Sequence, residues 1–421
     1  MRPFVLACPL LLLILGCGGA ASDAGDPSGL ATVIDSTADT VVARVEGEVP
    51  AAAVRSLVQE VAIAPGLDDT SLFTDLSEVD VDRLGRLWVF DRPSNSIFVF
   101  AADGRLLRQV GRQGAGPGEF NSNNGMVVLG DSGLAQWDAR NGRISFLDTA
   151  GTLVRSWRVT TGFSTSNGLV TDRSGQLFLR RPVTPPREGE ILGRMGLVRL
   201  GVEGAFGDSL IPADIMGPRE VYVAEQRTAG GTSRSATGAR YAPNYYWAWH
   251  PDGYFVVAHG GEYRIILAPP GGRPLAIRRA MPPIPVDPAE RDEEQRSITY
   301  NMRQTDPGWV WRGPALPEAK APLLGISATR DGRLWVRVAA PSELIPEAEL
   351  TIPADSLRPV QRHRTPLVYE VFSPEGRFLG RVDFPPGSTL VDADGDLVWA
   401  IVRNEDDLPA VTRFRVEPGW R

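Results

Sequence analysis

One short phrase recurs six times along the chain: a polar Asp/Gly turn followed at once by an alternating apolar strand. The copies run from Asp82 to Val89, Asp131 to Trp137, Asp172 to Leu179, Pro251 to Val257, Arg330 to Val336 and Asp392 to Trp399. A unit repeated at this interval constrains the fold more than any single residue does. One unit cannot bury its own apolar faces and must stack on copies of itself.

The neighbours of each phrase repeat too. A short alternating run precedes it, such as Val79-Asp80-Val81 or Trp247-Ala248-Trp249. A third run and then a fourth follow, such as Ile97 to Phe100 and Leu106 to Val110. Four short antiparallel strands of period two, joined by Gly turns, make one propeller blade. The expected fold is all-β: a six-bladed β-propeller with four-stranded antiparallel blades, spanning 55–421. The sixth unit meets Pro418 before any fourth strand. The run Leu57 to Ile63, upstream of the first unit, is expected to supply it. The last blade would then be closed by an N-terminal strand, which removes two exposed sheet edges.

Residues 1–17 read as an export signal, with Arg2 as the charged start and Phe4 to Leu15 as an apolar stretch too short to span a bilayer. Its end, Ile14-Leu15-Gly16-Cys17, resembles the lipobox of bacterial lipoproteins. The resemblance implies a lipid on Cys17 and attachment to the cell envelope. Gly18 in place of Asp favours the outer membrane. The other Cys, Cys8, lies inside the signal, so no disulfide is expected after cleavage. Residues 18–54 are rich in Ala, Gly, Ser, Asp and Thr and are expected to be a flexible tether. A net charge of −7 argues against a nucleic-acid partner. The positive charge is nearly all Arg. Lys320 is the only Lys, which reads as genome composition and not as chemistry.

Gly111-Arg112-Gln113-Gly114-Ala115-Gly116-Pro117-Gly118-Glu119-Phe120, followed by Asn124-Gly125-Met126-Val127-Val128, resembles the linker and first strand of NHL-repeat propellers. The match is good over 76–160 and fades to strand-and-turn spacing beyond. The nearest overall likeness is to six-bladed propeller lipoproteins of bacterial envelopes, a family mostly without assigned activity.

In such blades the first-to-second turns share one face, and the second-to-third loops share the other with the blade-to-blade links. Every Asp/Gly turn belongs to the first group and is short. The long segments, 180–195, 206–244, 280–322 and 339–366, belong to the second. They are expected to cluster over blades 3 to 5 on one face, the usual mark of a binding face. Within them, Asp287-Pro288-Ala289-Glu290 signals a helix start with a capping box, running to about Gln304 and lying over the channel mouth as a lid or flank.

Asn124, Asn167 and Asn244 each stand at the entry to an innermost strand. Their amides either converge on a polar ligand or a calcium ion, or simply suit the turn into the strand. Tyr241 and Tyr245 either stack on a ligand ring or pack in the core, and Trp247 and Trp249 read as inter-blade core. His250, His259 and His363 form no metal-binding pair, and His250 stands where other blades carry the turn Asp. Glu293-Glu294 and Asp406-Asp407 read as solvated charge. The sequence has no Gly-x-Ser-x-Gly elbow. The expected function is therefore binding: an envelope-anchored monomer holding a protein or a small polar ligand on its loop-rich face, with no cofactor required. The alternative is a metal-dependent lactonase-like hydrolase or lyase using the channel-mouth Asn residues.

Overall fold

A computed structural model describes residues 30, 32–36, 39–64, 75–186, 192–229, 231–404 and 408–420. The export signal, Cys17 and the Asp406-Asp407 pair lie outside the described residues. The chain is a six-bladed β-propeller. Blade 1 runs from Leu76 to Val110, blade 2 from Gly125 to Arg158 and blade 3 from Leu169 to Leu210. Blade 4 spans Tyr245 to Arg279, and blade 5 spans Leu323 to Asp383. Blade 6 takes Ser388 to Glu417 together with Val54–Ile63. In every blade the strands follow one another in antiparallel order from the axis outward.

The Asp/Gly phrase works as a turn for a local reason. Asp82 accepts hydrogen bonds from the backbone N–H groups of Leu84 and Arg86, and Asp172 does the same for Ser174 and Gln176. Gly85 and Gly175 adopt φ of 72° and 80°, which a side chain would oppose. In blade 4 the ring of His250 replaces the carboxylate and accepts from the Asp252 N–H at 3.1 Å. The alternating strands that follow turn one face to each neighbouring blade. Trp88, Phe90 and Val99 of blade 1 pack on Met126 and Leu134 of blade 2. Ile63 and Trp399 of blade 6 pack on Val79 and Phe98 of blade 1. Blades 3 and 4 meet differently, through Phe178 against Trp249 with ring centroids 4.7 Å apart and Arg180 over Trp247 at 4.2 Å.

Both ends of the described chain lie in sheets. Val54–Ile63 pairs antiparallel with Pro409–Glu417, with Ser56 opposite Glu417 and Ile63 opposite Val411. The expected tether over 18–54 needs correction in its described part, from Thr32 onward. Thr32–Ser36 and Val41–Val45 form a hairpin, and Val41–Val45 pairs in parallel with the outer strand Leu275–Arg279 of blade 4. Ala43 and Val45 are fully buried there. A composition rich in small polar residues hid two runs of β-branched residues, and the free edge of blade 4 gave them a partner.

One side chain ties three blades together on the short-turn face. Arg330, in the first turn of blade 5, donates to Asp392 of blade 6 at 2.5 Å and to the Val81 carbonyl of blade 1 at 2.5 Å. Its guanidinium lies 3.6 Å from Asp80. Burial pushes Asp80 up to about 6 despite that charge.

Candidate functional site

The loops on the opposite face divide into two regions. Over blades 4 and 5 the insertions pack on one another as a cap. The link between blades 3 and 4 starts later than expected, because Phe206–Leu210 is the outer strand of blade 3. It forms a hairpin, Tyr222–Thr228 with Gly231–Thr237. The next link carries α1 (Pro288–Arg303), whose Asp287 cap accepts from the Ala289 N–H. Tyr222 and Ala224 of the hairpin, Ile298 and Met302 of α1, and Trp309 make a small separate core.

Polar groups join this cap to the ring. Glu290 does not complete a capping box. Its carboxylate accepts from Tyr241 Oη and from Ser342 Oγ. Lys320 Nζ donates to Ser342 Oγ at 2.6 Å, to the Ala340 carbonyl at 3.1 Å and to Glu290 at 3.4 Å. Burial pushes the Lys320 ammonium down. Burial alone would raise Glu290, but Ser342, Tyr241 and Lys320 hold it below its usual value. Ser342, Lys320 and Glu290 superficially suggest hydrolytic machinery. Here the three Lys320 donors and the Ser342 hydroxyl are occupied by neighbours, so the group is a joint between three insertions.

Over blades 1 and 2 the second-to-third loops are short and the links are shorter than the insertions of the cap, and a cavity of about 600 Å³ opens between them. Arg92 and Asn95 come from the second-to-third loop of blade 1, and Arg140 from the same loop of blade 2. Asn121 to Asn124 line it from the link into blade 2, and Thr161 to Ser164, with Ser166, from the link into blade 3. Buried carboxylates order both loops from behind. Asp138 accepts from Asn121 N, Ser122 Oγ, Asn141 N and Asn141 Nδ2, at 2.7 to 3.0 Å. Asp91 accepts from the N–H and Oγ of Ser94. At the cavity floor Asn123 Nδ2 donates to Glu78 Oε2 at 2.9 Å and Asn123 Oδ1 accepts from Gln136 Nε2 at 3.3 Å. Burial pushes Glu78 up to about 8, against the Asn123 hydrogen bond.

The comparisons bear on the fold. A family model, DUF5128, described as a 6-bladed beta-propeller, matches residues 67–148. No curated protein matches the chain. Among solved structures, a protein of Bacteroides fragilis described as exported is similar at 12% identity and a TM-score of 0.46, covering 90% of this chain and 99% of its own. A DUF4221 family member of Bacteroides vulgatus is similar at 11% identity and a TM-score of 0.45, with 86% and 98% covered. A virginiamycin B lyase of Staphylococcus aureus follows at 11% and 0.38, with 84% and 98% covered.

The five residues singled out from the sequence lie in different settings. Asn124 lines the cavity, with Oδ1 accepting from Ser122 Oγ and the Ala139 N–H. Asn167 is exposed and adopts a left-handed φ of 51°. Asn244 Oδ1 accepts from Arg219 at 2.7 Å and from the Tyr245 N–H at 2.8 Å. The Asn-Gly pairs have a packing reason. A Cβ on Gly125 would come within 2.4 Å of Leu169 N, and one on Gly168 within 2.5 Å of Trp137. The expectation for Tyr241 as a ligand platform needs correction, since the residue is 4% exposed and its hydroxyl is bound within the cap. Tyr245 Oη donates to the Ala213 carbonyl at 2.7 Å, and burial pushes the phenol up.

The acid pair Glu293-Glu294 also needs correction. Both residues are buried, Glu293 against His363 Nδ1 and the Arg362 N–H and Glu294 against Arg240. Sequence reasoning passed over Arg92, Arg140, Asn121 and Asn123. The run Asn121-Ser122-Asn123-Asn124 was a visible signal. The two Arg residues were not, in a chain where Arg supplies nearly every positive charge.

Proposed function

We propose that this propeller is an exported binding protein, held at the cell envelope by a lipid on Cys17, that takes a polar ligand in the cavity over blades 1 and 2. One observation carries the reading. The cavity is walled by amides, hydroxyls and two guanidinium groups, while the polar groups of the neighbouring cap are bound to one another. Its volume lies within the range of small-molecule sites, and its mainly polar wall suits a polar ligand. The stacked blades give it a rigid base. Among the described residues, no group of three or more His, Cys, Asp or Glu is placed to hold a metal ion. The hydrolase or lyase alternative is not better supported: of its Asn residues, Asn124 lines the cavity while Asn244 is bound to Arg219.

Two measurements test this. A Cys17→Ser chain should move from the membrane fraction to the soluble fraction, and retention at the membrane would remove the anchor. A soluble extract of envelope glycans and peptides should raise the melting temperature of the full chain. Ser166→Trp, at the exposed cavity rim, should abolish that rise. Ser174→Trp, on the short-turn face, should leave it intact. A rise that survives Ser166→Trp, or no rise in the unaltered protein, would move binding away from this cavity.

A further inference from the structure

The chemistry of the cavity wall, taken with the binding reading above, narrows the ligand. We infer that the cavity is a site for an acidic saccharide of about disaccharide size, its carboxylate or sulfate held between Arg92 and Arg140. The two guanidinium groups come from equivalent loops of adjacent blades and so face one cavity from two sides. Arg140 fixes its own loop through its backbone, whose N–H donates to Ser122 Oγ at 3.2 Å. Arg92 meets only a loose partner, with Nε 3.6 Å from Asp75 and both side chains largely exposed. Among the described residues that line the cavity there is no carboxylate, in a protein of net charge −7. Asp91 and Asp138 stand behind the lining and Asp75 beside Arg92, so the charged residues that border the open space itself are the two Arg residues. Guanidinium is the group best shaped for a planar carboxylate or a sulfate.

The remaining wall fits a sugar better than a simple anion. Asn95, Asn121 and Ser164 offer paired donors and acceptors suited to vicinal hydroxyls. Phe163 is half-buried in the link beyond blade 2 and supplies the one aromatic ring of the lining, a platform for the apolar face of a pyranose. Asn123 is held from behind by Glu78, Ser77 and Gln136, so its orientation is set before a ligand arrives. A preorganised wall loses little entropy on binding.

The test is calorimetric titration of the full chain in detergent with digalacturonate, with neutral cellobiose, with tetraglutamate peptide and with inorganic phosphate. Digalacturonate should bind at least about tenfold tighter than each of the others, the scale of one charge-assisted hydrogen bond. Arg140→Gln should remove about tenfold of the preference for digalacturonate over cellobiose. Phe163→Ala should weaken both sugars together. Arg140→Gln is a surface change and Phe163→Ala removes a half-buried ring, so a cooperative melting curve without ligand checks that each variant folds. Equal affinity for the two sugars, or a preference that survives Arg140→Gln, would overturn the inference. So would tetraglutamate or phosphate binding as tightly as digalacturonate. If no sugar binds but Ser166→Trp still abolishes the response to envelope extract, the saccharide is wrong and the cavity stands. If both responses are missing, the binding reading falls with it.

Discussion

Two regions of one face use the same residue types to opposite ends. Over blades 4 and 5, Tyr, Glu, Arg, Ser and Lys side chains from three insertions find their partners in one another. Over blades 1 and 2, Asn, Ser and Arg side chains are ordered from behind and border open space. Residue type alone does not separate the two. What separates them is whether the chain is long enough locally to supply its own partners. Long insertions make the cap, and short loops leave the cavity. The elaborate loops therefore spend these polar groups on one another, and the open polar surface lies beside them.

Removing a partner inside the cap should have the largest effect. Lys320 has no exposed side-chain surface, and Glu290 has 2%. Lys320→Met leaves the Glu290 carboxylate buried without its cation, which costs about 3–5 kcal/mol. The loss should be local. Hydrogen exchange should rise across α1 and the Tyr222–Thr237 hairpin, while the blade 1 and blade 2 strands keep their protection. Uniform loss of protection would show that cap and ring are one cooperative unit.

The position of Lys320 also shows what the sequence could and could not carry. The ring was legible because it rests on local rules: turn Asp and Gly residues at fixed offsets and alternation in the strands between them. His250 in the turn position was legible for the same reason. The cap was not. The face of α1 turned inward carries Glu290, Glu293 and Glu294 beside only Ile298 and Met302, so its burial pattern follows ion pairs with residues far along the chain. A carboxylate with a distant partner looks in sequence like one facing water. The single Lys read as genome composition, yet it occupies a buried place where a compact ammonium meets three acceptors. The cavity was half legible. Asn124 stood out, but the guanidinium groups that give the wall its charge did not.

A smaller effect is expected at the cavity floor. Burial raises Glu78 to about 8 in the folded protein. The folded state therefore holds a proton that the unfolded chain releases near the ordinary Glu value of about 4.3. The contribution of Glu78 to stability is full below that value and is lost as pH rises through about 8. Glu78→Gln should flatten this loss and leave the protein about 1–3 kcal/mol more stable than the parent at pH 9. Chemical denaturation at pH 5.5 and at pH 9 measures the difference. A gain of equal size at both pH values would mean that Glu78 is not titrating in this window.

The smallest expected effect is the most telling one about the cavity wall. Arg140, Ser164 and Ser166 border the cavity and are exposed, and the protein does not rely on their side chains for packing. Arg140→Gln, Ser164→Ala and Ser166→Ala should each change the unfolding free energy by no more than about 0.5 kcal/mol, the range of ordinary surface substitutions. Asp138→Ala serves as the contrast. It strips the partner from the backbone N–H of Asn121, the Ser122 hydroxyl and Asn141, and should cost about 2–4 kcal/mol. The wall residues would then be free to serve a ligand because the fold does not depend on them, while the carboxylates behind them carry the structure. Three wall substitutions as costly as Asp138→Ala would place the wall in the scaffold, and the two regions of this face would then differ in loop length alone.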